Sequence, residues 1–239
     1  MKLIWTYSKK FKKGILNNIA SHSYIQKLFQ KAIKDAPSQY EKIIYTDEDT
    51  VDLFKDIVDE VIIRDKNKFI FLADLKFDVA EKINGEFIIS DGDLMINKPL
   101  TLPTDVDMAF EYRGQASNIV KGYKNVLLQE GIGTKVPIWN TPNDSYWNLG
   151  LMYFNNDILK SKLIKEYRET QSFYMEKIEP KYKYNKKNKQ FSACASQMLV
   201  EQFNLNNNCK IGEFGELNGD KYVHYGNKRK LDLIKKTII

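Results

Sequence analysis

Short apolar runs alternate with segments of helical spacing along the first part of the chain. The run at 86–90 is apolar and then turns polar, as a buried strand does, whereas Ile25, Leu28 and Phe29 recur at helical intervals. The predicted strands are Lys2–Tyr7, Lys42–Asp47, Val61–Ile63 and Glu86–Ser90, and the predicted helices cover 23–34, 51–58 and 74–83. This alternation with short links predicts a mostly parallel sheet with helices on both faces.

The second half of the chain has a different pattern, with fewer strands and longer helices. The predicted strands are 105–112 and 145–155, the predicted helices are 158–178 and 193–203, and a lysine- and tyrosine-rich loop is predicted at 182–189. Neither an internal repeat nor a Gly-, Pro- or Ser-rich linker interrupts the pattern. We therefore expect one α/β domain over residues 1–239.

Composition narrows the class of protein. With 43% hydrophobic and 28% charged residues among 239, the chain can bury a core, which excludes a disordered protein. No apolar stretch approaches the length of a membrane span, and the opening residues turn polar before a signal-like core could form, so we expect a cytoplasmic protein without integral membrane association. Cys194 and Cys209 lack metal-ligand spacing, which excludes a disulfide scaffold and a zinc ribbon.

The charge is basic, at +6 with a pI near 9.0, and it comes almost entirely from lysine. Arginine forks, the usual means of specific phosphate recognition, are few. The segment 181–189 interleaves lysine with tyrosine, a pattern that can bind a phosphate backbone and stack on bases. A non-catalytic basic protein that binds nucleic acid is therefore one open alternative.

The segment with the clearest chemistry is the turn Asp91-Gly92-Asp93, which follows the apolar strand at 86–90. Two carboxylates this close at the end of a buried strand are unfavourable unless a cation lies between them. Gly92 lets the backbone turn so that both oxygens can approach one ion. Mn²⁺ or Mg²⁺ bridging to a diphosphate fits this donor set, and a simple hydrogen-bonded turn is the alternative.

Three segments in this order resemble the nucleotide-sugar glycosyltransferases of GT-A fold. The first is a helix with Lys76 near its start, followed by an apolar strand and the Asp-x-Asp turn. The second, 146–155, looks like the Asn-x-Gly strand that borders the acceptor pocket. The third, 222–226, looks like the late histidine segment of the glycogenin and galactosyltransferase-like members. The resemblance implies a GT-A-type mixed sheet and metal-dependent transfer from a nucleoside-diphosphate sugar, most plausibly UDP-linked, to a hydroxyl acceptor.

The resemblance also implies roles for individual residues and for the two halves of the chain. The implied metal ligands, with Mn²⁺ or Mg²⁺ as cofactor, are Asp91, Asp93 and His224. The implied donor-binding residues are Thr6 and Tyr7 at the nucleobase, with Asp47 as a further candidate, Lys76 at the sugar or phosphate, and Gly226 and Lys228 at the diphosphate. About 1–100 would form the nucleotide-binding half, and about 101–239 the acceptor side with the last metal ligand.

The chain departs from the family pattern in two places. Gly226 and Lys228 follow the histidine at shorter spacing and no Pro-Trp comes after them, and Gln197 is preceded by serine where retaining members often have aspartate. The stereochemistry therefore stays open. An inverting enzyme would need a base, for which the candidates are Asp144 and Glu201, and a retaining enzyme could use the amide of Gln197 or Asn148.

The acceptor is open as well, with a glycan or a modified DNA base as candidates. A phosphohydrolase or phosphotransferase with Asp91 as nucleophile is a weaker rival, because such enzymes usually follow the acidic pair with Thr or Val, whereas Leu94 and Met95 follow here.

Overall fold

The chain forms alternating strands and helices in the order that the hydrophobic pattern predicts for its first half. The computed structural model describes residues 1–8, 22–64, 73–182, 186–214 and 222–224. The strands are β1 (Lys2–Tyr7), β2 (Glu41–Thr46), β3 (Glu60–Ile63), β4 (Phe87–Ser90), β5 (Leu94–Ile96), β6 (Met108–Gln115), β7 (Ser145–Phe154), β8 (Ile211–Glu213) and β9 (Tyr222–His224). The α-helices are α1 (His22–Asp35), α2 (Asp74–Lys82), α3 (Asn118–Gln129), α4 (Ile132–Lys135), α5 (Asp157–Phe173), α6 (Glu179–Tyr182) and α7 (Lys186–Asn207).

Seven of these strands form one sheet in the order β3-β2-β1-β4-β7-β6-β8. Strands β1 to β4 run parallel, β7 is antiparallel to both of its neighbours, and β8 is parallel to β6. The mixed, mostly parallel sheet flanked by helices that the sequence predicts is therefore confirmed. Strands β5 and β9 pair separately as a small antiparallel sheet.

Both faces of the large sheet are buried. In β1, Leu3, Trp5 and Tyr7 join a cluster that includes residues of α1, β5 and β9, while Ile4 joins the opposite cluster with residues of α2, α5 and α7. All four residues of β4 are buried, as expected of a parallel strand covered on both sides. The carboxyl end of β4 lies at the rim of the sheet, where ligand sites of α/β proteins form.

Three sequence-based assignments were wrong in detail. The helix predicted at 51–58 is a 3₁₀ helix over Glu48–Leu53 followed by turns. The strand predicted from Asp105 begins at Met108, because Asp105 has a φ of 56°, in the left-handed region that extended strands exclude. The loop predicted at 182–189 is helical from Lys186 onward, in keeping with the good helix propensity of lysine.

The long helix predicted at 158–178 is present as α5, which continues into a π-helical turn, Tyr174–Ile178. No helix in the described part of the chain combines the length and the apolar character that a membrane span requires. The division into two halves near residue 100 stays a prediction.

Candidate metal centre

The acidic turn lies between β4 and β5 at the rim of the large sheet. The Asp91 amide donates to the Gly150 carbonyl of β7 at 2.8 Å, and the Leu94 amide donates back to the Asp91 carbonyl at 3.3 Å. A Cβ atom on Gly92 would lie 2.0 Å from the ring of Phe29 on α1. Only glycine therefore allows this turn to pack against α1 as closely as it does.

Strand β9 brings a histidine from the far end of the chain to this turn. In the small sheet, Leu94 pairs with His224 and Ile96 pairs with Tyr222. Tyr222 is 1% exposed and lies in the same apolar cluster as Leu94. Its burial anchors β9, so His224 is fixed beside the two aspartates by an element that the large sheet does not contain.

The three predicted metal ligands lie together. One potential ligand atom from each of Asp91, Asp93 and His224 lies within 4.8 Å of the others. The Nε2 atom of His224 is 3.5 Å from Oδ1 of Asp93. Two carboxylates and one imidazole are a donor set that suits Mn²⁺, and the carboxylates alone suit Mg²⁺. The residues present therefore fit the implied ion.

A third acidic residue, which the sequence analysis missed, completes the group. Glu111 in β6 is 0% exposed, and its two carboxylate oxygens lie 2.8 and 2.9 Å from Nδ1 of His224. Burial alone would lower the pKa of His224, but the hydrogen bonds and charges of Asp93 and Glu111 raise it to about 11. The sequence signal was available, since Glu111 follows the apolar run Met108-Ala109-Phe110 inside a predicted strand.

Lys76 supplies a positive charge on the other side of the turn. Its Nζ atom is 2.5 Å from Oδ1 of Asp91 and also donates to the Leu149 carbonyl. Burial raises the pKa of Asp91, although the ammonium of Lys76 acts against the shift. Burial acts in the same direction on Asp93, but hydrogen bonding and charge from His224 overcome it and lower the pKa of that carboxyl. The two acids thus face different cations.

An irregularity in β7 makes room for this arrangement. Phe110 pairs with Met152 and Tyr112 pairs with Asn148, so one residue of β6 lies opposite three residues of β7. Such a bulge re-aims backbone groups beside a site. Here the Leu149 and Gly150 carbonyls turn toward Lys76 and the Asp91 amide.

The amide of Asn148 stabilises the bulge. Its Oδ1 accepts from the Gly150 amide at 2.8 Å, and its Nδ2 donates to the Tyr112 hydroxyl at 3.1 Å. These hydrogen bonds give Asn148 a structural role at the site. Its catalytic role stays a prediction.

The residues predicted to bind the nucleobase, Thr6 and Tyr7, lie at the end of β1, next to β2. Thr6 is half-buried, whereas Tyr7 is 3% exposed and packs edge-on against Phe29 and Phe54. Asp47 is also buried, and its carboxylate accepts hydrogen bonds from Ser8 and Arg64. Of these three residues, Thr6 is the most exposed.

The remaining predicted site residues lie on other elements than the acidic turn. Gln197 is half-buried on α7. Asp144 precedes β7 and pairs with Lys121 at 3.1 Å, and four residues of extended chain, about 13 Å, separate it from Asn148. Gly226 and Lys228 lie outside the described residues.

Glu201, the other candidate base, is 0% exposed. Its carboxylate accepts hydrogen bonds from Arg113, at 2.5 and 3.2 Å, and from Asn143. Both of its oxygens are thus engaged in joining α7 to the strands and the loop before β7.

No family model and no curated protein sequence matches this chain. Among solved structures, the chain is similar to the glycosyltransferase GlyE from Streptococcus pneumoniae TIGR4, with 13% identity and a TM-score of 0.44. The match covers 89% of this chain and 45% of GlyE. This chain thus spans less than half the length of that protein.

Two further structures match over nearly their whole length. An active-site mutant of LgtC has 10% identity and a TM-score of 0.48, with 99% of this chain and 96% of LgtC covered. The inositol-1-phosphate CTP transferase from T. maritima has 11% identity and a TM-score of 0.48, with 98% and 95% covered. At these identities and TM-scores the matches carry no argument about this chain, and its function is inferred from the site.

Proposed function

We propose that this protein is a metal-dependent glycosyltransferase that uses a nucleoside-diphosphate sugar, with a UDP-sugar as the proposed donor. One observation carries the proposal: Asp91 and Asp93 of one turn, and His224 more than a hundred residues further along the chain, place ligand atoms within 4.8 Å of one another at the rim of the sheet. Aspartates and imidazole in this position fit an ion that also binds a diphosphate.

The residues of the site have complementary parts in this proposal. Asp91, Asp93 and His224 would hold Mn²⁺ or Mg²⁺, which when bound stabilises the negative charge that develops on a departing nucleoside diphosphate. Lys76 already lies 2.5 Å from Asp91, so its ammonium adds positive charge at the same place. Thr6, at the end of β1, would contact the nucleoside.

Transfer would break the bond between the anomeric carbon and the diphosphate, which leaves with the bonding electrons. It would form a bond to the oxygen of an acceptor hydroxyl, whose proton passes to a base such as Asp144 or to the departing diphosphate. A glycan hydroxyl is the proposed acceptor, and the described residues give no support to DNA in that part. Gln197, Asn148 and Asp144 remain the candidates for contact with the sugar or the acceptor, and Gly226 and Lys228 remain candidates for the diphosphate.

The test measures the release of UDP from UDP-sugars by the purified protein with and without Mn²⁺. Asp91→Asn and Asp93→Asn should lower Mn²⁺-dependent release about 100-fold or more, because each removes a charged oxygen ligand. Asp52→Asn is the matched control, since Asp52 is exposed and pairs only with Lys55 among the ion pairs described for it. That variant should keep wild-type turnover.

Retained turnover in both site variants would contradict the proposal. Pyrophosphate release from a nucleoside triphosphate and a sugar phosphate, without turnover of sugar donors, would indicate nucleotidyl transfer instead. Salt-sensitive DNA binding without any turnover would favour the basic nucleic-acid-binding alternative.

A further inference from the structure

We propose that Glu111 is a positioning residue that holds His224 so that its Nε2 atom faces the metal. The inference rests on the metal site of the proposed function, but it does not depend on which substrate the protein uses. The apolar run before Glu111 marks it in the sequence as an acid inside a buried strand, but no motif pairs it with His224.

The contacts of the imidazole ring favour this assignment. Both Glu111 oxygens lie within 2.9 Å of Nδ1, while Nε2 points to the other side, 3.5 Å from Asp93. A carboxylate that accepts the Nδ1 hydrogen fixes the ring orientation and the tautomer, and it leaves Nε2 as the ligand atom. The geometry thus separates one nitrogen for support from one for the ion.

The free-energy cost of burying the Glu111 carboxylate also favours a specific role for it in the site. A carboxylate with 0% exposure in an apolar strand loses its hydration, which is unfavourable unless a partner compensates. The hydrogen bonds described for its side chain go to His224. The Glu111–His224 pair fits because Gly150 has no side chain. A Cβ atom on Gly150 would lie 2.0 Å from Oε2 of Glu111.

Direct chemistry by Glu111 is a poorer explanation. Its side chain is fully buried, so an acceptor hydroxyl cannot reach it. The group that could hold an ion consists of Asp91, Asp93 and His224, with Glu111 behind the imidazole. Glu111 therefore acts on the ion through His224.

The experiment measures Mn²⁺ affinity by calorimetry without any sugar donor. Glu111→Gln keeps the size of the side chain and removes its charge, so it should raise the dissociation constant about 10-fold to 100-fold. Glu111→Leu also removes the hydrogen-bond acceptor and should have the larger effect. The matched control is Glu201→Gln, an identical change at another fully buried carboxylate, which contacts Arg113 and Asn143 and should leave the affinity unchanged.

A second measurement needs no variant. The sequence contains two histidines, so ¹⁵N spectra of the wild-type protein loaded with Zn²⁺, a diamagnetic ion that binds both imidazole and carboxylate, can resolve the tautomer of His224. A proton on Nδ1 together with a metal-shifted Nε2 signal is the expected result, whereas a metal-shifted Nδ1 signal would assign the ion to the nitrogen that faces Glu111.

Wild-type Mn²⁺ affinity in folded Glu111→Gln, or an Nδ1 atom without its proton in the loaded wild type, would overturn the inference and leave the proposed function standing. Absence of Mn²⁺ binding by the wild-type protein would overturn both. Absence of sugar transfer with normal metal binding would count against the proposed function alone.

Discussion

At the scale of single residues, the candidate site depends on two glycines that make room for charged groups. Gly92 lets the acidic turn lie against Phe29, and Gly150 leaves the space that Glu111 and His224 occupy. A Cβ atom on Gly150 would lie 3.1 Å from Cε1 of His224 as well as 2.0 Å from Glu111. The Asn-x-Gly pattern is visible in sequence, but the reason for its glycine is a contact with a strand and a histidine far away.

Gly150→Ala should therefore disrupt the Glu111–His224 pair. We expect Mn²⁺ affinity to fall at least about 10-fold, as for loss of an outer-shell partner. The free energy of unfolding should fall by about 1–3 kcal/mol from overpacking. Calorimetric titration and denaturant unfolding measure the two effects.

The control for this change is Gly122→Ala. Gly122 lies in α3 with no atom within 4 Å of its Cβ position, so alanine should stabilise the helix by about 1 kcal/mol and leave Mn²⁺ binding unchanged. Normal metal binding and stability in Gly150→Ala would contradict the tight fit described here.

At the scale of elements, helix α2 and the bulged strand β7 meet at one lysine. Lys76 is 5% exposed and joins the Leu149 carbonyl to the Asp91 carboxylate. The helix was predicted from apolar spacing and the lysine from the family resemblance. The bulge was not predicted, because a change of register depends on the partner strand and leaves no clear mark in one sequence.

Lys76→Met should lower stability and change the response to metal. The loss leaves a buried carbonyl without its donor, at a cost of about 1–3 kcal/mol, and it leaves Asp91 without its cation. Because Mn²⁺ can neutralise Asp91 in its place, we expect the ion to raise the melting temperature more in this variant than in the wild type. Thermal unfolding with and without Mn²⁺ measures the difference.

Lys124→Met provides the comparison for this prediction. Lys124 is 4% exposed, and its Nζ atom donates to the carbonyls of Thr141 and Asn143, with no described contact to the acidic turn. It should lose similar stability, while its response to Mn²⁺ matches the wild type. Equal metal responses in the two lysine variants would show that Lys76 does not balance Asp91.

At the scale of the whole molecule, the site joins segments from α2, the turn after β4, β6 and β9. An ion that binds the folded chain alone stabilises it by mass action, by about 2.7 kcal/mol at a hundred times the dissociation constant. For a domain of this size, each kcal/mol of added stability raises the melting temperature by about 2–4 °C. We therefore expect Mn²⁺ to raise the melting temperature by about 5–10 °C.

His224→Gln and Asp93→Asn should remove most of this shift, because each deletes a ligand from a different part of the chain. Differential scanning calorimetry across Mn²⁺ concentrations measures it. A wild-type melting temperature that does not respond to millimolar Mn²⁺ would contradict the assignment of the site.

The order of strands and helices in the first half of the chain, and the mixed sheet itself, could be predicted from the sequence. Apolar runs such as 86–90 and the helical spacing of 74–83 reflect local burial, which is written in neighbouring residues. The strand β5 and helix α3 received no assignment, since β5 has three residues and α3 contains Gly122.

For the candidate site, the sequence by itself supplied the acidic turn, Lys76, the Asn-x-Gly strand and the late histidine. Tertiary structure alone decided that His224 lies beside Asp91 and Asp93, that Glu111 contacts the imidazole, and that Glu201 pairs with Arg113. The physical reason is range, because spacing along a chain records only which face of an element is buried. Pairing between β5 and β9 is set by a partner more than a hundred residues away, and the bulge opposite Glu111 is set by a strand about forty residues away.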